Sequence, residues 1–312
     1  MAKRKQNLAN YYSSLIVYVS KNVPFVPLAV LFILLVVTTS MLKPSPSFPR
    51  PESFLIVTAP IPESDTRIPP HIKAAAVIIQ DTDSGAVFYE RNADSLLPPA
   101  STTKIMTALV ALEHFNIDDV VTVGQIDVGG QTMELVNGEQ LTVEDLLYGL
   151  LIFSANDAAE VLVRSFPGGR QAFITAMNEK AKLLHLSNTH FMNPSGLYEA
   201  SHVSTARDLA RLASYAEENP IFSKIVSTRS RTVVALNNVK AHKLVNLNML
   251  LGSVPGVLGV KTGRTDEGGE ALVTFIERGG HSLMIVILGS VDRFGDTKAL
   301  IDWAYTSYSW GN

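Results

Sequence analysis

The longest apolar run of the chain lies close to its N-terminus. Residues 23–42 carry no charge and consist mainly of Leu, Val, Ile and Phe. Their number, 20, matches the length that a helix needs to cross the hydrocarbon core of a bilayer. Four basic residues precede the run: Lys3, Arg4, Lys5 and Lys21. This bias predicts a cytoplasmic segment over 1–22, a single transmembrane anchor over 23–42, and a periplasmic or outer-face location for the rest.

Two other interpretations of this run are a cleaved signal peptide and a buried helix of a soluble protein. A signal peptide has a shorter apolar region that ends in a small-x-small cleavage site. This run ends instead in Thr38-Thr39-Ser40-Met41-Leu42. The basic flank and the segment that follows argue against a buried helix, so we favour a retained anchor.

The segment after the apolar run is rich in proline. Residues 43–70 hold 8 of the 16 prolines in the chain. Such a composition favours extended polyproline geometry and a semi-rigid spacer. We therefore predict a linker over 43–70 and a single folded domain over 71–312.

Within that domain, the pattern of apolar positions predicts strands at both ends and helices between them. The strand patterns cover residues 74–80, 86–89, 229–236, 258–262, 271–277 and 282–288, and the first two and last two form hairpins. The helical patterns cover residues 102–114, 143–165, 169–184, 205–217 and 296–308. This order predicts an α+β fold in which the first and last strands share one antiparallel sheet.

Composition narrows the chemistry. A net charge of −3 does not indicate the broad basic surface that is typical of nucleic-acid binding. With no cysteine in the sequence, disulfides, thiol catalysis and Cys-based zinc sites are excluded. His190 and His202 do not form a metal-ligand pattern and are interpreted as loop histidines with structural hydrogen bonds. We expect neither a metal nor a cofactor.

The first candidate for chemistry is Ser101-Thr102-Thr103-Lys104, which opens a helical pattern after two prolines. Residues three apart on a helix share a face, so an ammonium group lies beside a hydroxyl. A desolvated lysine can then activate the serine as a nucleophile. Alone the pattern is weak: a capping serine with a surface lysine looks the same, and residues 40–43 repeat the spacing.

Two further polar motifs follow along the chain. Ser154-Ala155-Asn156 interrupts an apolar segment, where buried polar groups need partners. Lys261-Thr262-Gly263 ends a strand pattern; a cation and a hydroxyl there suit an anionic ligand, and glycine lets another backbone approach closely. Each motif alone also fits ordinary helix-junction bonding or a strand followed by a turn.

In this order, the three motifs resemble those of the penicillin-binding enzymes and serine β-lactamases. Residues 99–107, 191–197 and 255–263 are similar to the low-molecular-mass D-Ala-D-Ala carboxypeptidases. The resemblance covers residues 71–308 and implies a β-lactamase/transpeptidase-like fold. It also implies a serine carboxypeptidase that removes the terminal D-Ala from peptidoglycan stem peptides through an acyl-serine intermediate, with β-lactams as inhibitors.

The resemblance also implies roles for single residues. Ser101 would attack the carbonyl of the penultimate D-Ala, and Lys104 would take its proton. Ser154 would relay a proton to the leaving amine, with Asn156 and Lys261 completing the polar network.

On the strand side, Thr262 would bind the terminal carboxylate, and the strand through Gly263 would pair with the substrate. The backbone N–H groups of Ser101 and Arg264 would form the oxyanion hole. Arg293 is a further candidate carboxylate ligand.

The sequence departs from this family in two respects. An aromatic residue or His often follows Lys-Thr-Gly, where this chain has Arg264, so the substrate preference is open. Many members continue into a β-rich domain and a C-terminal amphipathic anchor, whereas this sequence ends at Asn312. We therefore expect the N-terminal segment to supply the membrane attachment.

Three alternatives to the carboxypeptidase are a β-lactamase, an endopeptidase acting on cross-links, and an inactive wall-binding scaffold. A class A β-lactamase uses a glutamate and a water for deacylation. Glu160, Glu179 and Glu199 lie between the second and third motifs, but none has the Glu-x-x-Leu-Asn context of that residue. A scaffold would need a defect in the motifs, which are complete.

Overall fold

The computed structural model describes residues 61–65, 67–237 and 240–310. The predicted cytoplasmic segment, the predicted anchor and most of the predicted linker lie outside these ranges. Inside them, every helix is too short or too polar to span a bilayer.

The described residues form strands at both ends and a group of helices between them. In chain order the strands are β1 (Glu63–Ser64), β2 (Ala76–Asp81), β3 (Val87–Arg91), β4 (Val120–Thr122), β5 (Gln140–Thr142), β6 (Ser230–Val234), β7 (Ala241–Val245), β8 (Val257–Thr265), β9 (Gly269–Arg278), β10 (His281–Ser290) and β11 (Tyr308–Ser309). The helices are α1 (Lys104–His114), α2 (Val143–Leu151), α3 (Asn156–Ser165), α4 (Gly169–Leu183), α5 (Ala206–Glu217), α6 (Pro220–Val226) and α7 (Arg293–Ser307).

A five-stranded antiparallel sheet organises the domain, in the order β3-β2-β10-β9-β8. Its central strands are apolar on both faces because both faces are covered. Ile78 and Val286 belong to the core shared with the helical cluster, while Ile79 and Ile285 pack with Leu300 of α7. The strand period of two thus divides the sheet between two cores. The predicted α+β class and the shared sheet are confirmed.

Two local sequence signals, a glycine turn and a helix cap, are confirmed by the structure. The β9–β10 hairpin turns through Gly279 and Gly280, both at positive φ, as a tight two-residue hairpin loop requires. At the start of α5 the Thr205 side chain accepts a hydrogen bond from the N–H of Asp208.

The predicted helix over 143–165 is wrong. The chain forms two helices, α2 and α3, separated at Ser154, which has a φ of 62°. Tertiary partners replace the helical bonds at the break: the N–H of Asn156 binds the Gln131 carbonyl, and the Ile152 carbonyl accepts from Leu247. The short strands β4, β5 and β7 and the helix α6 were not predicted.

A separate pair of short strands lies next to the β3 edge of the main sheet. β1 pairs antiparallel with β11, next to the C-terminus of α7. The ring of Tyr308 stacks on Phe88 at a centroid distance of 3.8 Å, and its hydroxyl donates to the Phe88 carbonyl. These contacts attach β1 and β11 to the β3 edge of the main sheet.

The carboxyl group of Glu217, at the end of α5, is buried beside α6. Burial raises the pKa of Glu217 to about 7, against a smaller opposing effect of Ser223. Neither carboxyl oxygen has good hydrogen-bond geometry with a described partner. The folded state therefore binds the proton more tightly than the unfolded state, so stability falls as the pH rises from about 4.5 to about 7.

We expect Glu217→Gln to remove this pH dependence. Relative to the unsubstituted protein, the variant should gain on the order of 2–3 kcal/mol of unfolding free energy between pH 5 and pH 8. Chemical denaturation at both pH values measures the difference, and Glu218→Gln, on the exposed neighbour, is the matched control. An equal gain in the control, or no gain in Glu217→Gln, would contradict the assignment.

Candidate active site

Ser101 lies in a 3-10 turn, Ala100–Thr103, that leads directly into α1. One turn later, the Nζ atom of Lys104 donates a hydrogen bond to Ser101 Oγ at 3.1 Å. Lys104 is fully buried. Burial first, and then the charge of Lys261, lower the pKa of Lys104 well below its usual value. Because the neutral amine is a base, the pair has the arrangement that activates a serine hydroxyl.

The second partner of Lys104 comes from a loop. Lys104 Nζ donates to the backbone carbonyl of Ser195 at 2.6 Å. Asn193 shapes this loop: its Oδ1 accepts from the N–H groups of Ser195 and Gly196, and its Nδ2 donates to the Leu197 carbonyl. Sequence analysis singled out this segment only by its similarity to the D-Ala-D-Ala carboxypeptidases. It did not predict that the Ser195 carbonyl binds Lys104, because a backbone carbonyl leaves no mark in the sequence.

Three further bonds connect the loop and His202 to the 3-10 turn of Ser101 and to α1. Thr107 Oγ1 donates to the Pro194 carbonyl at 2.6 Å. His202 Nε2 lies 2.8 Å from Thr103 Oγ1, and His202 Nδ1 accepts from the N–H of Met192. Since Nδ1 accepts, the proton of the neutral ring is on Nε2 and faces Thr103.

Burial, with smaller effects of His190 and Lys104, lowers the pKa of His202 to about 4. The ring is therefore neutral near pH 7, and its two hydrogen bonds connect Thr103 with Met192. The prediction of structural hydrogen bonds for His190 and His202 is confirmed, since His190 Nδ1 also bonds the Ser201 carbonyl.

Two glycines allow the backbone around Ser101 to be packed closely. A Cβ on Gly196, at a φ of +82°, would lie 1.8 Å from the Ala100 carbonyl oxygen. A Cβ on Gly263 of β8 would lie 3.1 Å from the Ser101 nitrogen. The turn that carries Ser101 is thus held between the Ser195 loop and strand β8, as the glycine of the third motif predicted.

The β8 strand supplies a second buried lysine. Lys261 is almost completely buried, and its Nζ donates to the Thr262 carbonyl at 3.0 Å. Burial and the nearby charge of Arg293 lower the pKa of Lys261 to about 7. Arg293 itself donates from Nη1 to the Gly263 carbonyl at 2.9 Å. Thr262 is buried, and the side chain of Arg264 is exposed.

The second motif lies at the break between α2 and α3. Both Ser154 and Asn156 are buried. Asn156 Nδ2 donates to the Gly129 carbonyl at 2.7 Å. Asn156 and Ser195 line the same cavity, which connects this motif to the loop that holds Lys104. Across the described ranges, no hydrogen bond joins the Ser154 hydroxyl to Ser101 or Lys104.

Two of the three glutamates considered for β-lactamase chemistry, Glu160 and Glu199, are occupied elsewhere. Both carboxylate oxygens of Glu160 bind arginines, Arg164 at 2.8 Å and also Arg170. Glu199 Oε1 accepts from Asn193 Nδ2 at 2.8 Å. Both therefore act in these contacts as structural ion-pair or hydrogen-bond partners.

An antiparallel sheet packed on a helical cluster, with a Ser–Lys pair in the first turn of a buried helix, defines a serine acyl-enzyme of the penicillin-binding type. Comparison with known proteins gives the family. The family model described as D-alanyl-D-alanine carboxypeptidase, peptidase family S11, matches residues 63–292. The chain therefore belongs to that family and is a serine peptidase.

Among curated relatives, the D-alanyl-D-alanine carboxypeptidase DacF of Bacillus subtilis is 34% identical over 76% of this chain and 63% of its own length. The D-alanyl-D-alanine endopeptidase of Pseudomonas aeruginosa is 32% identical over 80% of this chain and 83% of its own length. The crystal structure of the Streptomyces K15 DD-transpeptidase is 32% identical, with a TM-score of 0.73 over 77% of this chain and 100% of that chain. The chain spans less than two thirds of DacF.

The packing of Gly196 against the turn of Ser101 leads to a test. We expect Gly196→Ala to lower the melting temperature and to slow acylation of the serine, because the methyl group meets the Ala100 carbonyl at a backbone conformation that disfavours alanine. The loss should exceed about 1 kcal/mol. Gly124→Ala, where a Cβ meets nothing within 4 Å, is the control and should change neither quantity. Normal melting and acylation in Gly196→Ala would show that the close contact does not exist.

Proposed function

We propose that the chain is a D-Ala-D-Ala carboxypeptidase that removes the terminal D-Ala from peptidoglycan stem peptides. The observation that carries this proposal is the 3.1 Å bond between a buried Lys104 amine and the Ser101 hydroxyl. Ser101 Oγ attacks the carbonyl carbon of the penultimate D-Ala while Lys104 Nζ accepts the hydroxyl proton. The C–N bond to the terminal D-Ala then breaks, leaving an ester on Ser101 that water hydrolyses.

The proton that leaves with the terminal D-Ala passes to its amine through Ser154 in this proposal. Asn156 and Lys261 complete the polar surroundings. Support comes from the burial of all three side chains and from the charge of Lys261, which helps to lower the pKa of Lys104.

The oxyanion of the tetrahedral intermediate would accept from the backbone N–H groups of Ser101 and Arg264. Such a donor commonly contributes ~2.7–4 kcal/mol to transition-state binding. The close approach of Gly263 to the Ser101 nitrogen supports this pairing. Thr262 would bind the terminal carboxylate, with the cations Lys261 and Arg293 beside it.

β-Lactams would acylate the same serine and remain attached, because the ring stays in the site and obstructs water. Endopeptidase action on cross-links is the alternative, favoured by relatives in Pseudomonas aeruginosa and Escherichia coli that carry that name. The two activities share the acyl-serine chemistry and differ in the group that leaves.

We also propose that the protein is a single-pass membrane protein whose catalytic domain faces the cell wall. The support is the sequence alone: the uncharged run over 23–42, the basic residues before it and the proline-rich linker over 43–70. A reporter fused after Asn312 should be active outside the cytoplasm. Activity only in the cytoplasm would overturn this topology.

The nucleophile can be identified by mass spectrometry. Benzylpenicillin should form one stable ester, on Ser101, and a pentapeptide ending in D-Ala-D-Ala should lose one D-Ala on the same preparation. Ser101→Ala should abolish both reactions. An adduct on another residue would reject the assignment, and rapid β-lactam turnover without D-Ala release would favour a β-lactamase.

The pH profile tests the two lysines. The kcat/KM for D-Ala release should rise with pH as Lys104 loses its proton, and should fall above about pH 7 as Lys261 becomes neutral and attracts the carboxylate less. Lys261→Arg keeps its charge, so its alkaline limb should move to higher pH even where the absolute rate falls.

Lys298→Arg, at an exposed lysine paired with Asp302, is the control and should leave the profile unchanged. An alkaline limb at the same pH in Lys261→Arg would show that another group is responsible.

A further inference from the structure

Strand β7 carries a buried histidine close to the second motif. The side chain of His242 is 2% exposed, and that of its partner Glu139 is fully buried. His242 Nε2 lies 2.8 Å from Glu139 Oε2, and His242 Nδ1 lies 2.8 Å from the Met133 carbonyl oxygen. His242 and Met133 also line one cavity with Phe153, the residue before Ser154. The pair of His242 and Glu139 therefore lies beside the break that carries the second motif.

The two hydrogen bonds of the His242 ring determine where its protons are. A carbonyl oxygen only accepts, so Nδ1 carries a proton and donates it to the Met133 carbonyl. Nε2 then either donates to an ionised Glu139 carboxylate or accepts from a protonated one. In both arrangements the ring keeps its two bonds and the pair has no net charge. The contact between β7 and Met133 is thus maintained whichever partner holds the shared proton.

The Met133 backbone connects His242 with the start of α3. Its carbonyl accepts from His242, and its N–H donates to Asp157 Oδ1 at 3.0 Å. Asp157 is buried and directly follows Asn156, and its other oxygen, Oδ2, accepts from the N–H of Leu135 at 3.0 Å. A continuous series of hydrogen bonds therefore runs from strand β7 to the helix that begins at Asn156.

The segment that contains Met133 also binds Asn156 itself. The Gly129 carbonyl accepts from Asn156 Nδ2, and the Gln131 carbonyl accepts from the Asn156 backbone N–H, both at 2.7 Å. Ser154 has a φ of 62°, a conformation that a non-glycine residue keeps only when the surrounding structure imposes it. The geometry of the second motif thus depends on residues 129–135, and His242 holds that segment from β7.

We propose that His242 and Glu139 are positioning residues for the second motif. By holding residues 129–135 in place, they keep Ser154 and Asn156 in the geometry that acylation requires. This inference rests on the proposed function, in which Ser154 passes a proton to the leaving amine. The effect of the pair falls on the rate of acylation, and the binding contacts on β8, which lie outside this series of bonds, stay unchanged.

Three substitutions differ in which bonds of His242 they keep. His242→Gln places an amide nitrogen three bonds from Cβ, as Nε2 is, so it keeps the bond to Glu139 and loses the bond to Met133. His242→Asn places an amide nitrogen two bonds from Cβ, as Nδ1 is, and keeps the bond to Met133 instead. Glu139→Gln keeps both bonds, because its amide group can donate to Nε2 of a neutral ring.

Stopped-flow acylation of the full chain by benzylpenicillin, over a range of concentrations, separates the acylation rate constant from the Kd of the non-covalent complex. The rate constant should fall by about tenfold to a hundredfold in His242→Gln, the scale expected when a reacting group is slightly misplaced. It should stay close to that of the unsubstituted protein in Glu139→Gln and recover most of its value in His242→Asn. The Kd should be unchanged in all three variants.

A double-mutant cycle separates positioning from general destabilisation. In a Ser154→Ala background, one group that His242 positions is already absent, so His242→Gln should cost much less than in the unsubstituted protein. His281→Gln is the control: it removes a ring stacked on Trp310 at 4.7 Å, outside this series of bonds. It should leave the acylation rate unchanged even where the melting temperature falls.

A normal acylation rate in His242→Gln, or an equal loss in His242→Asn, would overturn the proposal. The same holds if the losses of His242→Gln and Ser154→Ala simply add. A failure of the proposed function has a different signature. A pentapeptide ending in D-Ala-D-Ala would then release no D-Ala, while acylation by penicillin would still depend on His242.

Discussion

Lys104 has two hydrogen-bond partners and no access to solvent, and the geometry of the candidate active site depends on this burial. A charged ammonium group in this position would be costly, because burial disfavours the charged form and Lys261 adds a second positive charge nearby. The lysine is therefore shifted toward the neutral amine. A carbonyl and a hydroxyl are the acceptors that such an amine can use while its lone pair remains available to a proton.

Lys104 can act as a base on Ser101 only if its two hydrogen-bond partners are held in place. The Ser195 carbonyl is positioned by Asn193, and the loop is attached to α1 through Thr107 and through His202. Each of these bonds is buried, and each removes freedom from the pair that carries the chemistry. The position of the base relative to the nucleophile is thus constrained by buried residues that lie outside the three motifs.

The sequence predicted the sheet, the hairpins and the three motifs, because those depend on local periodicity and spacing. It did not predict the break at Ser154, where an apolar helical pattern over 143–165 continues without a proline or a glycine in the break. The break is stabilised by Gln131 and Leu247, which are distant in the chain. For the same reason the Ser195 carbonyl could not be predicted: every residue has a carbonyl group, and only the tertiary fold selects one.

The pairing of β1 with β11 has a mechanical consequence. The chain enters the described domain beside the β3 edge of the sheet, whereas the Lys-Thr-Gly strand β8 forms the opposite edge, with β2, β10 and β9 between them. A pull on the chain before residue 61 therefore loads the pairing of β1 with β11 and, through Tyr308, its aromatic stack on Phe88. The strand β8, whose Gly263 lies beside Ser101, is separated by three strands from the edge of the sheet at which such a load enters.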